Sequence, residues 1–257
     1  MDFKDKVVVI TGGSSGVGKS IALQLIKEKC KVIIIGKTKE KVSDTLKELK
    51  TISEECSGYV CNINDWKKIK YLIEQIVKKY NKIDFLINNA GYSNYKNFTE
   101  QSIDEITDLI NTNLLGTIYF CKFSIPYINN NGHIINIASI AGKIGFPKFS
   151  IYCASKFGII GFSESLYYEL KEKSIKVSVI CPGAIDTDFY RDKSFESFPH
   201  NKRHKKMLKP EDVAKIVKKT LINEKFETII PRNYKFKILL KEVFKPVIMW
   251  YISRLPK

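Results

Sequence analysis

Tyr152 and Lys156 stand four residues apart in SIYCASKFGIIGF, so on a helix both project from one face. A phenol is a poor acid–base catalyst near neutrality, because its ordinary pKa is about 10. A lysine ammonium close by favours the phenolate, which makes proton exchange with a substrate oxygen feasible. Upstream, INIASIAG closes a candidate strand at Ser139, whose hydroxyl could hydrogen-bond the same oxygen. Taken alone, Tyr-x-x-x-Lys is common and is better explained as a core aromatic beside a solvated helix charge.

A second constellation lies near the start of the chain. VVVITGGSSGVGKS, residues 7–20, fits two phosphate-binding patterns. From Gly13 it reads G-x-x-x-x-G-K-S, the spacing of an ATP- or GTP-binding loop. From Thr11 it reads T-G-x-x-x-G-x-G, a glycine turn between strand and helix that suits a dinucleotide. Either way, glycines admit phosphates to the backbone, and the following helix aims free N–H groups at the anion. The triphosphate reading also needs a strand that ends in a Mg²⁺-holding acid. VIIIG ends in Gly36, and in KIDFLINN the acid Asp84 precedes the apolar run, so neither strand supplies one.

The elements that must position these residues form an alternating series. Short β-branched runs at 7–11, 32–36, 59–62, 83–88, 133–138, 176–181 and 227–231 read as strands buried on both faces of a parallel sheet. Helical periodicity occupies 17–28, 39–50, 66–80, 103–123, 151–173 and 210–223. Repeated strand–helix–strand order implies right-handed crossovers and a single doubly wound parallel sheet with helices on both faces.

Thr11–Gly18, NNAG at 88–91, Asn113, Ser139, Tyr152, Lys156 and PGAIDT at 182–187 follow in that order. Each falls at a strand end or in the helix after it. Together they closely resemble the short-chain dehydrogenase/reductase family over residues 5–190 and more loosely to Pro231. That combination excludes the ATPase reading and implies a Rossmann-type fold around a nicotinamide dinucleotide.

The resemblance implies a role for each matching residue. Tyr152 would exchange a proton with the carbonyl or alcohol oxygen. Lys156 would lower its pKa and hydrogen-bond the nicotinamide ribose. Ser139 would orient the substrate oxygen, and Asn113 would hold a water linking Lys156 to solvent. Gly12, Gly16 and Gly18, with Ser14, Ser15 and Val17 between them, would shape the pyrophosphate turn. Asn88, Ala90 and Gly91 would line the adenosine side, and Pro182, Gly183 and Thr187 the nicotinamide side. Asn62 stands where the family commonly carries an aspartate against the adenine amino group; its amide carbonyl can still accept that bond.

Cofactor choice is read after the second strand. An acid there would chelate the ribose 2′-hydroxyl and favour NAD. Here Gly36 replaces it and Lys37 and Lys39 follow, which suits a 2′-phosphate and predicts NADP(H).

Composition sets the outer limits. The chain has 257 residues, 44% hydrophobic and 27% charged, which is globular and long enough for a sizeable core. Cys30, Cys56, Cys61, Cys121, Cys153 and Cys181 form no C-x-x-C pair and read as reduced core residues. Three histidines without a cluster predict no metal site. The charged start running straight into a strand predicts no secretory leader, and no apolar run reaches membrane-spanning length, so the cytoplasm is the expected location.

The net charge of +16 is uneven: residues 191–257 carry 18 Lys and Arg against 7 Asp and Glu, a net +11. After Thr187, Phe189, Tyr190, Phe195 and Phe198 offer apolar contact to a substrate, while His204 sits in a basic cluster at 202–206. That cluster reads as solvated, or as an attraction for an anionic thioester carrier. Beyond a catalytic domain at 1–232, residues 233–257 form a basic, amphipathic helical extension. Phe236, Leu239, Leu240, Val243 and Phe244 recur at helical spacing among Lys235, Lys237, Lys241 and Lys245, and Pro246 precedes VIMWYI. A peripheral membrane contact, with Trp250 and Tyr251 at the interface, stands beside packing on the body or on a second subunit. No nucleic-acid reading module is visible.

These features predict an NADP(H)-dependent oxidoreductase that reduces an apolar, lipid-derived ketone or oxidises the alcohol. A 3-oxoacyl-thioester reductase and a non-catalytic NADP-binding regulatory protein are the alternatives. The family resemblance further implies a dimer or tetramer paired through helices 103–123 and 151–173.

Overall fold

The computed structural model describes residues 1–187, 195 and 207–245. Seven strands alternate with helices: β1 (Val7–Thr11), α1 (Gly16–Lys27), β2 (Lys31–Gly36), α2 (Lys39–Lys50), β3 (Cys56–Val60), α3 (Trp66–Tyr80) and β4 (Ile83–Asn88). Then come α4 (Ile103–Ile110), a π-helical turn (Asn111–Leu115), α5 (Gly116–Ser124), β5 (Ile128–Ile137), α6 (Ser150–Glu169) and β6 (Lys176–Pro182). The series closes with α7 (Pro210–Asn223), β7 (Glu227–Ile230) and α8 (Asn233–Val243).

All strand pairs are parallel, in the order β3-β2-β1-β4-β5-β6-β7. The order reverses between β1 and β4, which opens a crevice at their carboxyl ends. Successive β1 side chains feed opposite layers. Val8 and Ile10 pack with Ile21 and Leu25 of α1 and Val213 and Val217 of α7. Val7 and Val9 pack with Ile69 and Ile73 of α3 and Phe120 of α5. Both faces of the sheet are covered, which explains why its strands are unbroken apolar runs.

Several expected elements shift, and the helix expected over 151–173 ends at Glu169. The third strand begins at Cys56 rather than at 59, because the polar Cys-Ser-Gly start of this edge strand lacks an apolar signature. A Cβ on Gly58 would approach Val42 Cγ1 at 2.8 Å, so a larger residue there would push that side chain aside. The fifth strand begins at Ile128, its first turn pairing with Ile83 before a register break at Phe85. The expected helix 103–123 is broken by the π turn at Asn111–Leu115. Such a turn inserts one residue into the helical repeat and re-aims the side chains it carries, here including Asn113.

The six cysteines are buried and unpaired. Burial pushes the Cys30, Cys121 and Cys181 thiols up to about 12, so they pack as neutral groups. Phe189, Tyr190, Phe198, the basic cluster at 202–206 and residues 246–257 lie outside the described residues. No described helix is long and apolar enough to cross a membrane.

Candidate active site

The glycine loop sits over the crevice between β1 and β4. Gly12 and Gly16 have φ of +64° and +49°, which side-chain-bearing residues rarely adopt. A Cβ on Gly12 would lie 2.9 Å from Ala90 Cα, and one on Gly18 would run into the Gly12 carbonyl oxygen. Ser15 precedes α1 without capping it through its side chain, so the first-turn N–H groups, those of Val17 and Gly18 among them, face out. A backbone cradle open to close approach and rimmed by free N–H donors fits a pyrophosphate.

Two motif residues to which the sequence reading gave no role of their own, Thr11 and Asn89, hold this loop. Thr11 Oγ1 accepts from Asn89 N at 3.0 Å and Ala90 N at 3.1 Å. Asn89 Nδ2 donates to the Thr11 and Gly12 carbonyls at 3.1 and 3.3 Å. The only signal for this role was the doubled asparagine of NNAG. Its first member behaves differently: Asn88 is buried and donates to Asn136 Oδ1 at 2.8 Å and Cys121 Sγ at 3.3 Å, so its side chain braces the sheet beneath the crevice.

At the end of β2, a Cβ on Gly36 would collide with the Ser14 hydroxyl. Ser14 and Gly36 are therefore packed together at the end of β2, with exposed Lys37 next in the chain. Asn62 Oδ1 accepts from Asn64 N at 3.2 Å, which engages one lone pair in a local turn. Far along the chain, Thr187 is brought beside the α1 N-terminus, where a Gly16 Cβ would meet its Cγ2 at 3.3 Å. Pro182 ends β6, and Gly183, just after it, donates from its N–H to Ile230 O at 2.7 Å.

The residues expected to handle the proton lie just after β5 and in α6. Ser139 follows β5; its Oγ accepts from Ala141 N at 3.1 Å and reaches Pro182 O at 3.5 Å. Tyr152 and Lys156 lie one turn apart in α6, with Lys156 Nζ 5.8 Å from the Tyr152 ring centroid. Nζ donates to Ile137 O at 2.9 Å and is almost wholly buried. Burial draws the Lys156 ammonium down to about 8, which leaves it cationic at neutral pH.

Asn113, also buried, accepts from Tyr92 N at 2.9 Å through Oδ1 and donates from Nδ2 to Tyr92 O and Ser155 Oγ. A Cβ on Gly91 would meet Asn113 Oδ1 at 3.0 Å and Lys156 Nζ at 3.5 Å. Gly91 thus keeps open the space between amide and ammonium.

One wall of this site was legible only in part. Tyr95, Phe149 and Phe195 form an aromatic cluster, with ring centroids 5.2 to 6.2 Å apart. Phe149 also lies 6.2 Å from the Tyr152 ring. The sequence had offered Phe195 as an apolar contact; Tyr95 and Phe149 join it only through the fold.

A model of the short-chain dehydrogenase family matches residues 6–196. The chain belongs to that family. This short-chain dehydrogenase is 32% identical over 227 residues to a 3-oxoacyl-[acyl-carrier-protein] reductase of Thermotoga maritima, covering 84% of the chain and 90% of the relative. A short-chain dehydrogenase of Burkholderia phymatum solved with NAD superposes with a TM-score of 0.87 over 96% of each chain at 21% identity, which shows the shared fold. A variant of the actinorhodin polyketide ketoreductase solved with NADPH superposes with a TM-score of 0.77 at 29% identity, covering 84% of this chain and 90% of that one. Membership makes the chain an oxidoreductase acting on CH–OH or keto groups.

Proposed function

We propose that this short-chain dehydrogenase uses NADP(H) to interconvert an apolar ketone and its secondary alcohol. The observation that carries the reading is buried Lys156, whose Nζ lies 5.8 Å from the Tyr152 ring centroid and donates to the Ile137 carbonyl, two residues before Ser139. When bound, the nicotinamide would supply or accept the hydride.

The chain's own residues handle position and the proton. Ser139 and Tyr152 present hydroxyls to the substrate oxygen, and Tyr152 gives up its proton as negative charge builds there. The Lys156 ammonium stabilises the phenolate left behind, from a site shielded from water where such charge interactions are strengthened. Asn113 would link this lysine to solvent through a water in the space Gly91 leaves open. Gly36, Ser14 and Lys37 support preference for a 2′-phosphate, since a hydroxyl and a cation stand where an NAD-type site places a carboxylate.

The aromatic cluster of Tyr95, Phe149 and Phe195 supports an apolar group on the substrate. A 3-oxoacyl thioester is the second reading, favoured by the likeness to the Thermotoga maritima reductase. Pairing of subunits through α4–α5 and α6 belongs to the same proposal. It is supported by exposed Phe157 and Tyr168 on α6 and by the open space at Gly161.

The test is NADPH consumption by the purified chain with 3-oxoacyl thioesters, long-chain ketolipids and small ketones. Turnover on apolar ketones with tighter binding of NADPH than NADH is expected. Tighter NADH binding would overturn the cofactor assignment. Binding of NADPH without turnover of any class would leave a regulatory binding protein as the better reading.

A further inference from the structure

Helix α8 turns its apolar side away from the protein. Phe236, Leu239, Leu240, Val243 and Phe244 are all exposed, Phe236 and Val243 to more than 60%. At 100° per residue they fall on one stripe roughly 140° wide. Ile238, on the opposite side of the helix, is buried, at 9% exposure. The Tyr234 ring also lies inward, 3.6 Å from where a Gly183 Cβ would stand. An amphipathic helix ordinarily buries its apolar stripe. Among the described residues this helix is fastened by its other face, so packing on them does not explain the stripe.

The charge says what covers it. Residues 232–245 hold five basic residues against one acidic, within a last quarter of the sequence at net +11. Arg232, Lys235 and Lys245 are exposed. Two such helices face to face would bring like charges together, whereas an anionic surface with an apolar interior satisfies both stripe and cations. Eleven residues span about 16 Å, roughly half a bilayer's hydrocarbon core, so the helix can lie in the interface and not cross it.

We infer that α8 docks this protein on anionic lipid bilayers, with Phe236, Leu239, Leu240, Val243 and Phe244 inserted among the lipids. Because Tyr234 abuts Gly183 at the end of β6, the helix holds the nicotinamide side of the crevice near that surface. A substrate dissolved in the bilayer then reaches the crevice without crossing water.

The test is flotation of the full chain with phosphatidylcholine vesicles, with and without phosphatidylglycerol, beside a Phe236→Glu/Val243→Glu double variant. Wild type floats with the anionic vesicles, and added salt weakens the association. The variant partitions at least about tenfold more weakly, the factor set by 1.4 kcal/mol. Its thermal unfolding and NADPH affinity stay unchanged, which separates this outcome from misfolding and from failure of the reductase reading. Wild type that stays at the bottom with anionic vesicles overturns the inference, as does a variant that floats equally well. A variant that keeps floating but loses subunits by light scattering also overturns it, and assigns the stripe to a contact between copies.

Discussion

Replacing Lys156 by methionine should abolish turnover and yet stabilise the cofactor-free protein near neutral pH. Lys156 is 4% exposed, and its Nζ donates to the Ile137 carbonyl at 2.9 Å. Burial lowers its folded-state pKa from 10.5 to about 8. Because the folded value lies below the unfolded one, the unfolded chain binds the extra proton between those limits. The ammonium therefore costs stability in full below its folded pKa, about 3 kcal/mol at 1.36 kcal/mol per unit.

Methionine fills a similar volume without charge, but leaves the Ile137 carbonyl without its donor, a loss of about 1 kcal/mol. The net expectation is a variant more stable than wild type by about 2 kcal/mol near pH 7. As pH rises, wild-type Lys156 sheds its proton, and by about pH 10 most of the cost has gone and the two proteins converge. Urea unfolding of both proteins at the two pH values, without cofactor, measures the difference directly. A variant less stable than wild type at neutral pH, or a gap that does not change with pH, would refute the claim that Lys156 is held as a buried cation.

Four further outcomes follow from other residues. Gly18→Ala should fold but lose at least about tenfold in NADPH affinity by fluorescence titration, because its methyl group collides with the Gly12 carbonyl and reshapes the cradle. Asp84 is buried and accepts from Val7 N and Asn129 Nδ2, so Asp84→Ala should cost about 2–4 kcal/mol in denaturant unfolding. Burial draws His133 down to about 4 and holds it neutral against Ser178. Its folded pKa lies below the unfolded value of 6.5, so about 3 kcal/mol of stability should be lost as pH falls between those limits, and His133→Gln should lack that loss. Lys37→Glu should weaken NADPH more than NADH, since the proposed reading sets that side chain toward the 2′-phosphate, which NADH lacks.

The alternation of β-branched runs and amphipathic stretches made the parallel sheet legible, because strands buried on both faces leave no polar interruptions to confuse them. Ser139, Tyr152 and Lys156 were legible as an ordered set, though the Tyr152–Lys156 pair alone carried little. The π turn was hidden, because apolar spacing runs through residues 103–123 without a break, and the insertion shows only in how Asn113 is aimed at Tyr92 and Ser155. The bracing by Thr11 and Asn89 depends on a contact across 78 residues, which no local pattern encodes. Tyr95 and Phe149 lie far apart in sequence, so their shared wall follows from the fold alone. The helical spacing of 236–244 pointed to an amphipathic helix, but only the packing of Ile238 shows which side faces outward.

The most direct test of the account is NADPH oxidation by wild type and by Tyr152→Phe, on whichever ketone the wild type reduces fastest. The account predicts that the variant keeps its NADPH affinity and loses turnover by about 10²–10⁴-fold, the usual weight of a positioned acid. Equal turnover in the two proteins would contradict it, since the proton would then come from a group other than Tyr152.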